Sequence, residues 1–162
     1  MGAVLSTVLV TDAFMAMRPA LEAAIASGLV TRPDMAIVVT ATREINPWPD
    51  TPDGFRAACY LVSSVGDLSR PAYPNMEIAL KKAELSARTG RATAELPPQY
   101  LAVGDTVFWG SAVLGGIVVA CAGLEERQDE MVSYWIAAAV QAAAKAEFHG
   151  RLARQLGESF IR

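Results

Sequence analysis

Apolar side chains near the N-terminus recur every three or four residues, the spacing of one face of an α-helix. The pattern comprises Phe14, Met17, Leu21 and Ile25. Thr11 and Asp12 are candidate N-caps for this helix, and Gly28 is a candidate stop. Pro19 lies within the pattern, and because proline lacks an N–H and crowds the preceding turn, we expect a kink or a helix whose regular part begins further downstream.

Two further segments show helical periodicity. The first covers residues 75–89, with Asn75 as a candidate N-cap and Gly90 as the expected left-handed residue after its end. The second is a long helix from Glu125 to about Gly150.

Runs rich in β-branched residues indicate strands. The segments 35–41 and 57–62 are bounded by turn-forming residues and are predicted to be neighbouring antiparallel strands. Their connection, residues 46–54, contains three prolines and no periodicity, which predicts an irregular surface loop.

The apolar run 112–122 is interrupted only by glycines and predicts a buried strand. The segments 106–109 and 112–114 flank Gly110 and Ser111, and glycine in the first of two loop positions is typical of a type II′ hairpin turn. The resulting order is αββαββα, with tight hairpins. That order favours an α+β fold in which helices pack on an antiparallel sheet of about four to five strands, rather than a parallel βαβ sheet.

Length and composition limit the possibilities further. A chain of 162 residues with 52% hydrophobic side chains has enough material for one core, so residues 1–162 are expected to form a single domain. Much of the apolar content is alanine, which also suits close contacts between subunits, and we expect self-association. The formal net charge of -3 gives no broad basic surface, so nucleic acid is not an expected partner.

Neither a membrane nor an oxidising compartment is indicated. The longest apolar run is too short for a bilayer-spanning helix, which needs about 20 residues. The first ten residues lack the basic region of a secretory leader, and Cys59 and Cys121 are isolated rather than spaced as a zinc or disulfide motif. We therefore expect a cytoplasmic protein without a metal site.

Three local stretches carry a resemblance to a known family. The most specific is Gly115–Gly123, Gly-Gly-Ile-Val-Val-Ala-Cys-Ala-Gly, running into the acidic segment 125–130. The others are the helix with the Lys82-Ala83 pair and the strand that begins Met-Ala-Ile-Val-Val. Together they resemble the GlcG/HbpS-like family, also called the heme-degrading domain family, over roughly residues 8–145. Residues 146–162 would then be a C-terminal helical extension.

This resemblance implies a profilin-like fold and an oligomeric protein that binds heme or a related tetrapyrrole. Two departures bear on the ligand. The family has Asp-Ala-Gly-Gly after its first strand, where this chain has residues 40–45 and a proline-rich insertion. The family's Ser-Gly-Gly is replaced here by Cys121, Ala122 and Gly123. The region beside the usual pocket is therefore expected to differ from that of the family.

Candidate ligand-binding residues are Lys82, Arg88, Gly123 and Glu125. Gly123 and Glu125 lie at a predicted helix N-terminus, where free backbone N–H groups and the helix dipole attract anions. Lys82 and Arg88 are cations that could neutralise acidic groups of a ligand. The structural alternatives are acids that stabilise the first turn of a helix and ordinary ion pairs on a solvated face.

A second hypothesis is a metal-independent enzyme acting on a small carboxylate or carbonyl compound, with Lys82, Arg43 and Glu44 as its polar groups. A third is a purely structural subunit. His149 is either a cation favoured by a helix C-terminus or an axial heme ligand. Cys59 and Cys121 have apolar surroundings and are expected to be inert core thiols rather than nucleophiles.

Overall fold

The computed structural model describes residues 4–154. This part of the chain contains four helices and four strands. They are α1 (Thr7–Ala26), β1 (Met35–Ala41), α2 (Gly54–Ala58), β2 (Leu61–Val65), α3 (Asn75–Thr89), β3 (Ser111–Leu114), β4 (Ile117–Ala122) and α4 (Glu126–Arg154). Two short 3₁₀ turns, Thr93–Glu95 and Pro98–Tyr100, lie between α3 and β3. Of the predicted extension 146–162, the part up to Arg154 continues α4, and residues 155–162 lie outside the described range.

The strands form one antiparallel sheet in the order β2-β1-β4-β3. Every residue of the two central strands, β1 and β4, is buried. Since both faces of these strands are covered, their sequences are continuous apolar runs rather than alternating ones. The predicted α+β class with an antiparallel sheet is confirmed, as is the pairing of the first two strands.

Helices cover both faces of the sheet. On one face α1 and α4 pack against side chains such as Ile37 and Val119, and this is the larger apolar cluster. On the other face α3 packs through Ala79, Ala83 and Ala87 against Val38 and other small residues of β1 and β4. A helix face made of alanines allows its backbone to lie close to the sheet, because no long side chain separates the two.

The first helix begins earlier than predicted. Ser6, rather than Thr11 or Asp12, is its N-cap, and the Ser6 hydroxyl accepts a hydrogen bond from the Leu9 N–H at 3.1 Å. Val10 is completely buried, so the apolar face already starts in the first turn. Pro19 lies inside the continuous helix and does not end it.

The second strand is displaced from the predicted segment 57–62. Ala57 and Ala58 belong to the short helix α2, and β2 starts only at Leu61. The Asn46 side chain fixes this arrangement, because its amide donates to the Ala58 carbonyl at 2.8 Å and to the Thr40 hydroxyl.

The predicted hairpin at Gly110 and Ser111 is wrong. Residues 106–109 form no strand, and the run 112–122 is two strands joined by a tight turn at Gly115 and Gly116. These glycines have φ angles of 56° and 83°, and positive φ at both central positions defines the type I′ turn that suits the twist of a hairpin.

The remaining helix boundaries agree closely with the pattern. Helix α3 spans the predicted residues, and Gly90 after it is left-handed. Asn75 is the first residue of α3 rather than its N-cap, a position taken by Pro74. Helix α4 starts at Glu126.

Candidate ligand-binding cleft

The late start of β3 leaves a gap at one corner of the sheet. Ser111, the first residue of β3, lies opposite Ala120, so Cys121 of β4 has no strand partner on that side. Its N–H donates instead to the Ser133 hydroxyl at 3.0 Å, and its carbonyl accepts from Lys82 Nζ at 2.9 Å. Side chains from α4 and α3 thus replace the missing strand.

A buried ion pair crosses this gap. Lys82 Nζ of α3 lies 2.9 Å from Asp129 Oδ2 of α4, and the two side chains are only 1% and 3% exposed. Because α3 and α4 cover opposite faces of the sheet, the pair connects the two helical layers. Burial raises the pKa of the Asp129 carboxyl, although the Lys82 ammonium acts in the opposite direction. The second oxygen, Oδ1, accepts the Leu124 N–H at 3.1 Å.

Gly110 makes room for the ion pair. A Cβ atom at this position would lie 2.6 Å from the Asp129 Cβ and 3.2 Å from Lys82 Nζ. Such distances are too short for a side chain, so the close approach of three chain segments requires glycine here.

The ion pair is part of the wall of a cleft of about 590 Å³ between the N-terminal parts of α3 and α4. This volume is in the range of pockets that hold small organic molecules. Much of the wall is apolar, and the apolar side chains are Pro33, Pro71, Ala72, Ile78, Phe108, Ala122 and Leu124. The mouth is bordered by Tyr73, whose ring centroid lies 6.1 Å from that of Phe108.

Asn75 is the least expected group in the wall. It is only 6% exposed, yet its side-chain amide makes no hydrogen bond to any residue in the described range 4–154. A Cβ at Gly123 would lie 3.1 Å from Asn75 Nδ2, so the glycine leaves room for the amide beside the α4 N-terminus. An unpaired buried polar group costs about 1–3 kcal/mol, which makes this amide a natural partner for a ligand.

Charges around the cleft nearly balance. Three basic side chains (Arg32, Arg70, Lys82) and four acidic ones (Asp34, Glu125, Glu126, Asp129) line it. Arg70 lies 2.8 Å from the Asp34 carboxylate, and Arg127, just outside, lies 2.6 Å from Glu125. The Arg32 guanidinium is 3.5 Å from the Gly123 carbonyl. The balance does not favour a highly charged anion such as a polyphosphate.

Three of the predicted site residues meet in this cleft, namely Lys82, Gly123 and Glu125. Arg88 lies elsewhere and pairs with Asp105 at 2.8 Å.

Arg43 and Glu44 are exposed near the C-terminal end of α3, where the Arg43 N–H donates to the Ala87 carbonyl. The Arg43 guanidinium stacks on Trp48, 4.9 Å from its ring centroid. The structure therefore does not bring Arg43 and Glu44 together with Lys82.

Sequence reasoning missed Asn75 and Asp129 as cleft residues. Asn75 could be explained as the cap of a helix. Asp129 could be explained as one of the acidic residues that stabilise the first turn of the last helix. The available signal was Lys82 itself, because it borders the alanine-rich face of the helix and a lysine that becomes fully buried is almost always paired.

The other candidate groups lie away from the cleft or are unreactive. His149 is exposed on α4, about 30 Å along the helix from Asp129 at about 1.5 Å per residue. Burial raises the pKa of both Cys59 and Cys121 to about 12, so neither is a ready thiolate. Within residues 4–154, no group of three or more His, Cys, Asp and Glu side chains could hold a metal ion.

Comparison with known proteins returned no matching family model, no matching curated protein and no matching solved structure. In the described part of the chain, no helix combines the length and apolar character needed to cross a membrane.

Proposed function

We propose that this protein binds a small organic molecule in the cleft between α3 and α4. The observation that carries the proposal is the Asn75 amide, which is buried in the cleft wall without a hydrogen-bonding partner among residues 4–154. Buried amides in proteins are almost always satisfied, and a ligand in the cleft would supply the partner that this amide lacks. The apolar walls and balanced charges favour a neutral or singly charged ligand.

Native mass spectrometry after incubation with a cellular metabolite extract tests this proposal. We expect the wild type to retain a small-molecule adduct and Asn75→Leu to lose it. Asn75→Leu is also expected to raise the free energy of unfolding by about 1 kcal/mol, because it removes an unsatisfied polar group.

The matched control is Asn46→Leu, which removes an amide that donates two hydrogen bonds. It should lower the stability by about 1–3 kcal/mol and leave the adduct in place. No adduct on the wild type, or an adduct retained by Asn75→Leu, would contradict the proposal.

Heme is the particular ligand that the GlcG/HbpS-like resemblance implies. Among the described residues of the cleft wall, Tyr73 is the one side chain of the types that coordinate heme iron, and it is 64% exposed at the mouth. Arg32 and Arg70 also line the cleft, and guanidinium groups suit carboxylates such as the heme propionates.

A hemin titration decides the heme proposal. We expect a saturable Soret shift near one equivalent per subunit, absent in Tyr73→Phe and preserved in Tyr100→Phe, which changes another exposed tyrosine. A spectrum that does not saturate, or one unaffected by Tyr73→Phe, would exclude this form of heme binding.

Self-association is also part of the proposed function. The segment 100–108 exposes several apolar side chains, among them Val103 and Val107, and exposed apolar patches are typical of interaction sites. Sedimentation velocity should show an oligomer that Val103→Glu with Val107→Glu dissociates. Val8→Glu, at an exposed valine on α1, should leave it intact. A monomeric wild type would rule this out.

A further inference from the structure

The buried Lys82 ammonium has one more donor than it has partners. An ammonium group carries three N–H donors. Two are used, by the Cys121 carbonyl and the Asp129 carboxylate, both at 2.9 Å. Within residues 4–154 no third acceptor lies in hydrogen-bonding range, and Lys82 forms part of the cleft wall. The cleft wall therefore offers a strong donor to a bound ligand.

Charge decides which kind of acceptor fits. Asp129 already balances the lysine, and both side chains are almost entirely excluded from water. A carboxylate or phosphate placed there would add an uncompensated negative charge to a site with little solvent, which is strongly unfavourable. An uncharged oxygen accepts the same hydrogen bond without that cost.

Helix α3 contributes both Asn75 and Lys82 to the cleft. Asn75, Ile78 and Lys82 line the cleft together, and their spacing of three and four residues places them on one face of the helix. Seven residues of α-helix separate the two polar positions by about 10 Å. The apolar Ile78 lies between them.

From these observations we infer that the cleft takes an elongated, uncharged carbonyl compound whose carbonyl oxygen accepts from Lys82 Nζ and whose opposite polar end meets the Asn75 amide. This inference rests on the proposed small-molecule function and is independent of heme. It names the functional groups that the two ends of the cleft recognise.

Linear diamides from succinamide to sebacamide, compared with the dicarboxylates of the same chain lengths, are the probes. Isothermal titration calorimetry should show one optimal diamide length, with the matching dicarboxylate at least about tenfold weaker because of its buried charge.

Variants then assign the two ends. Lys82→Met alone leaves Asp129 unpaired and could fail to fold, so it is combined with Asp129→Asn, which keeps an acceptor for the Leu124 N–H. This double variant should bind diamides at least about tenfold more weakly than the wild type. Asn75→Leu should weaken the optimal diamide and remove the dependence on chain length. Lys81→Met, at a more exposed lysine that pairs with Glu84, should change neither property.

Equal affinity for diamides and dicarboxylates, or unchanged diamide affinity in the folded double variant, would overturn the inference. So would failure of both series to bind. None of these results would overturn small-molecule binding itself, which depends on the adduct seen by mass spectrometry and on its loss in Asn75→Leu.

Discussion

At the scale of single residues, exclusion from water governs the chemistry of the two cysteines. Cys121 is completely buried in β4, and Cys59 is half-buried after α2. In each case burial is the main reason that the pKa rises to about 12. Only about one thiol in 10⁴ is then ionised at pH 8, and the thiolate is the reactive form.

We therefore predict that neither cysteine of the folded protein reacts measurably with a disulfide reagent at pH 8 within minutes. Both should react at once in guanidinium chloride, which serves as the control. Rapid labelling of Cys121 in the native state would show that the sheet opens locally in this region.

The Arg88–Asp105 ion pair makes stability depend on pH. Burial opposes ionisation of Asp105, but the Ala102 N–H and the Arg88 guanidinium outweigh it, and the pKa falls below the ordinary value of 3.8. Because the pKa of Asp105 is lower in the folded than in the unfolded protein, its ionised form stabilises the fold fully at pH values above the unfolded-state pKa. This contribution disappears as the pH falls through the folded-state pKa.

Asp105→Asn should therefore destabilise the protein at pH 7, and the difference from wild type should vanish at acidic pH below the folded-state pKa. Urea unfolding at several pH values measures this. Arg88→Met should produce a similar profile, since it removes the other half of the pair, and a difference that grows on acidification would contradict the assignment.

Part of the cleft could be predicted from single residues. Lys82 was a candidate as a cation that could neutralise an acidic group of a ligand, and Gly123 because it precedes a predicted helix. The partner of Lys82 could not be predicted, because Asp129 lies 47 positions away and reaches the lysine only through the gap beyond β3. Asn75 is informative only because its amide lacks a partner, and a sequence does not display that.

At the scale of elements, local sequence patterns predicted whether a segment is a helix or a strand more reliably than where it begins and ends. Helix α3 and strand β1 matched their patterns, whereas β2 shifted because Asn46 holds Ala58 in the short helix α2. The hairpin was predicted at Gly110 instead of at Gly115 and Gly116 because both sites suit a tight turn. Pairing with β1 along all of β4 decides between them, and that is a tertiary effect.

The β3–β4 turn provides a test at this scale. Gly115 has a φ of 56°, a conformation that asparagine tolerates and β-branched residues avoid. We predict that Gly115→Asn lowers the free energy of unfolding by less than about 1 kcal/mol and Gly115→Val by about 1–3 kcal/mol. Both variants must displace the end of the Gln141 side chain, so their difference isolates the backbone effect. Equal losses measured in urea would argue against the type I′ turn.

At the scale of the whole molecule, the Lys82–Asp129 ion pair connects the helical layers on the two faces of the sheet. Lys82→Met should cost about 3–5 kcal/mol in urea unfolding, because it leaves a buried carboxylate without its partner. The double variant with Asp129→Asn should recover most of this loss. A single variant as stable as wild type would mean that the carboxylate takes up a proton instead of remaining charged.

The antiparallel character of the sheet was predictable in part, since two strands joined by a tight turn, as β3 and β4 are, pair only in the antiparallel sense. The cleft was not, because it arises where the sheet stops and two helices start. The periodicity of apolar residues along the sequence does not indicate such a corner.

Because β3 starts only at Ser111, the corner beside Cys121 is filled by side chains of α3 and α4 and not by strand backbone. Paired substitutions at Lys82 and Asp129 would therefore change the size and polarity of the proposed binding site without removing a hydrogen bond between strands. In this scaffold, ligand preference at the proposed site can vary independently of the sheet.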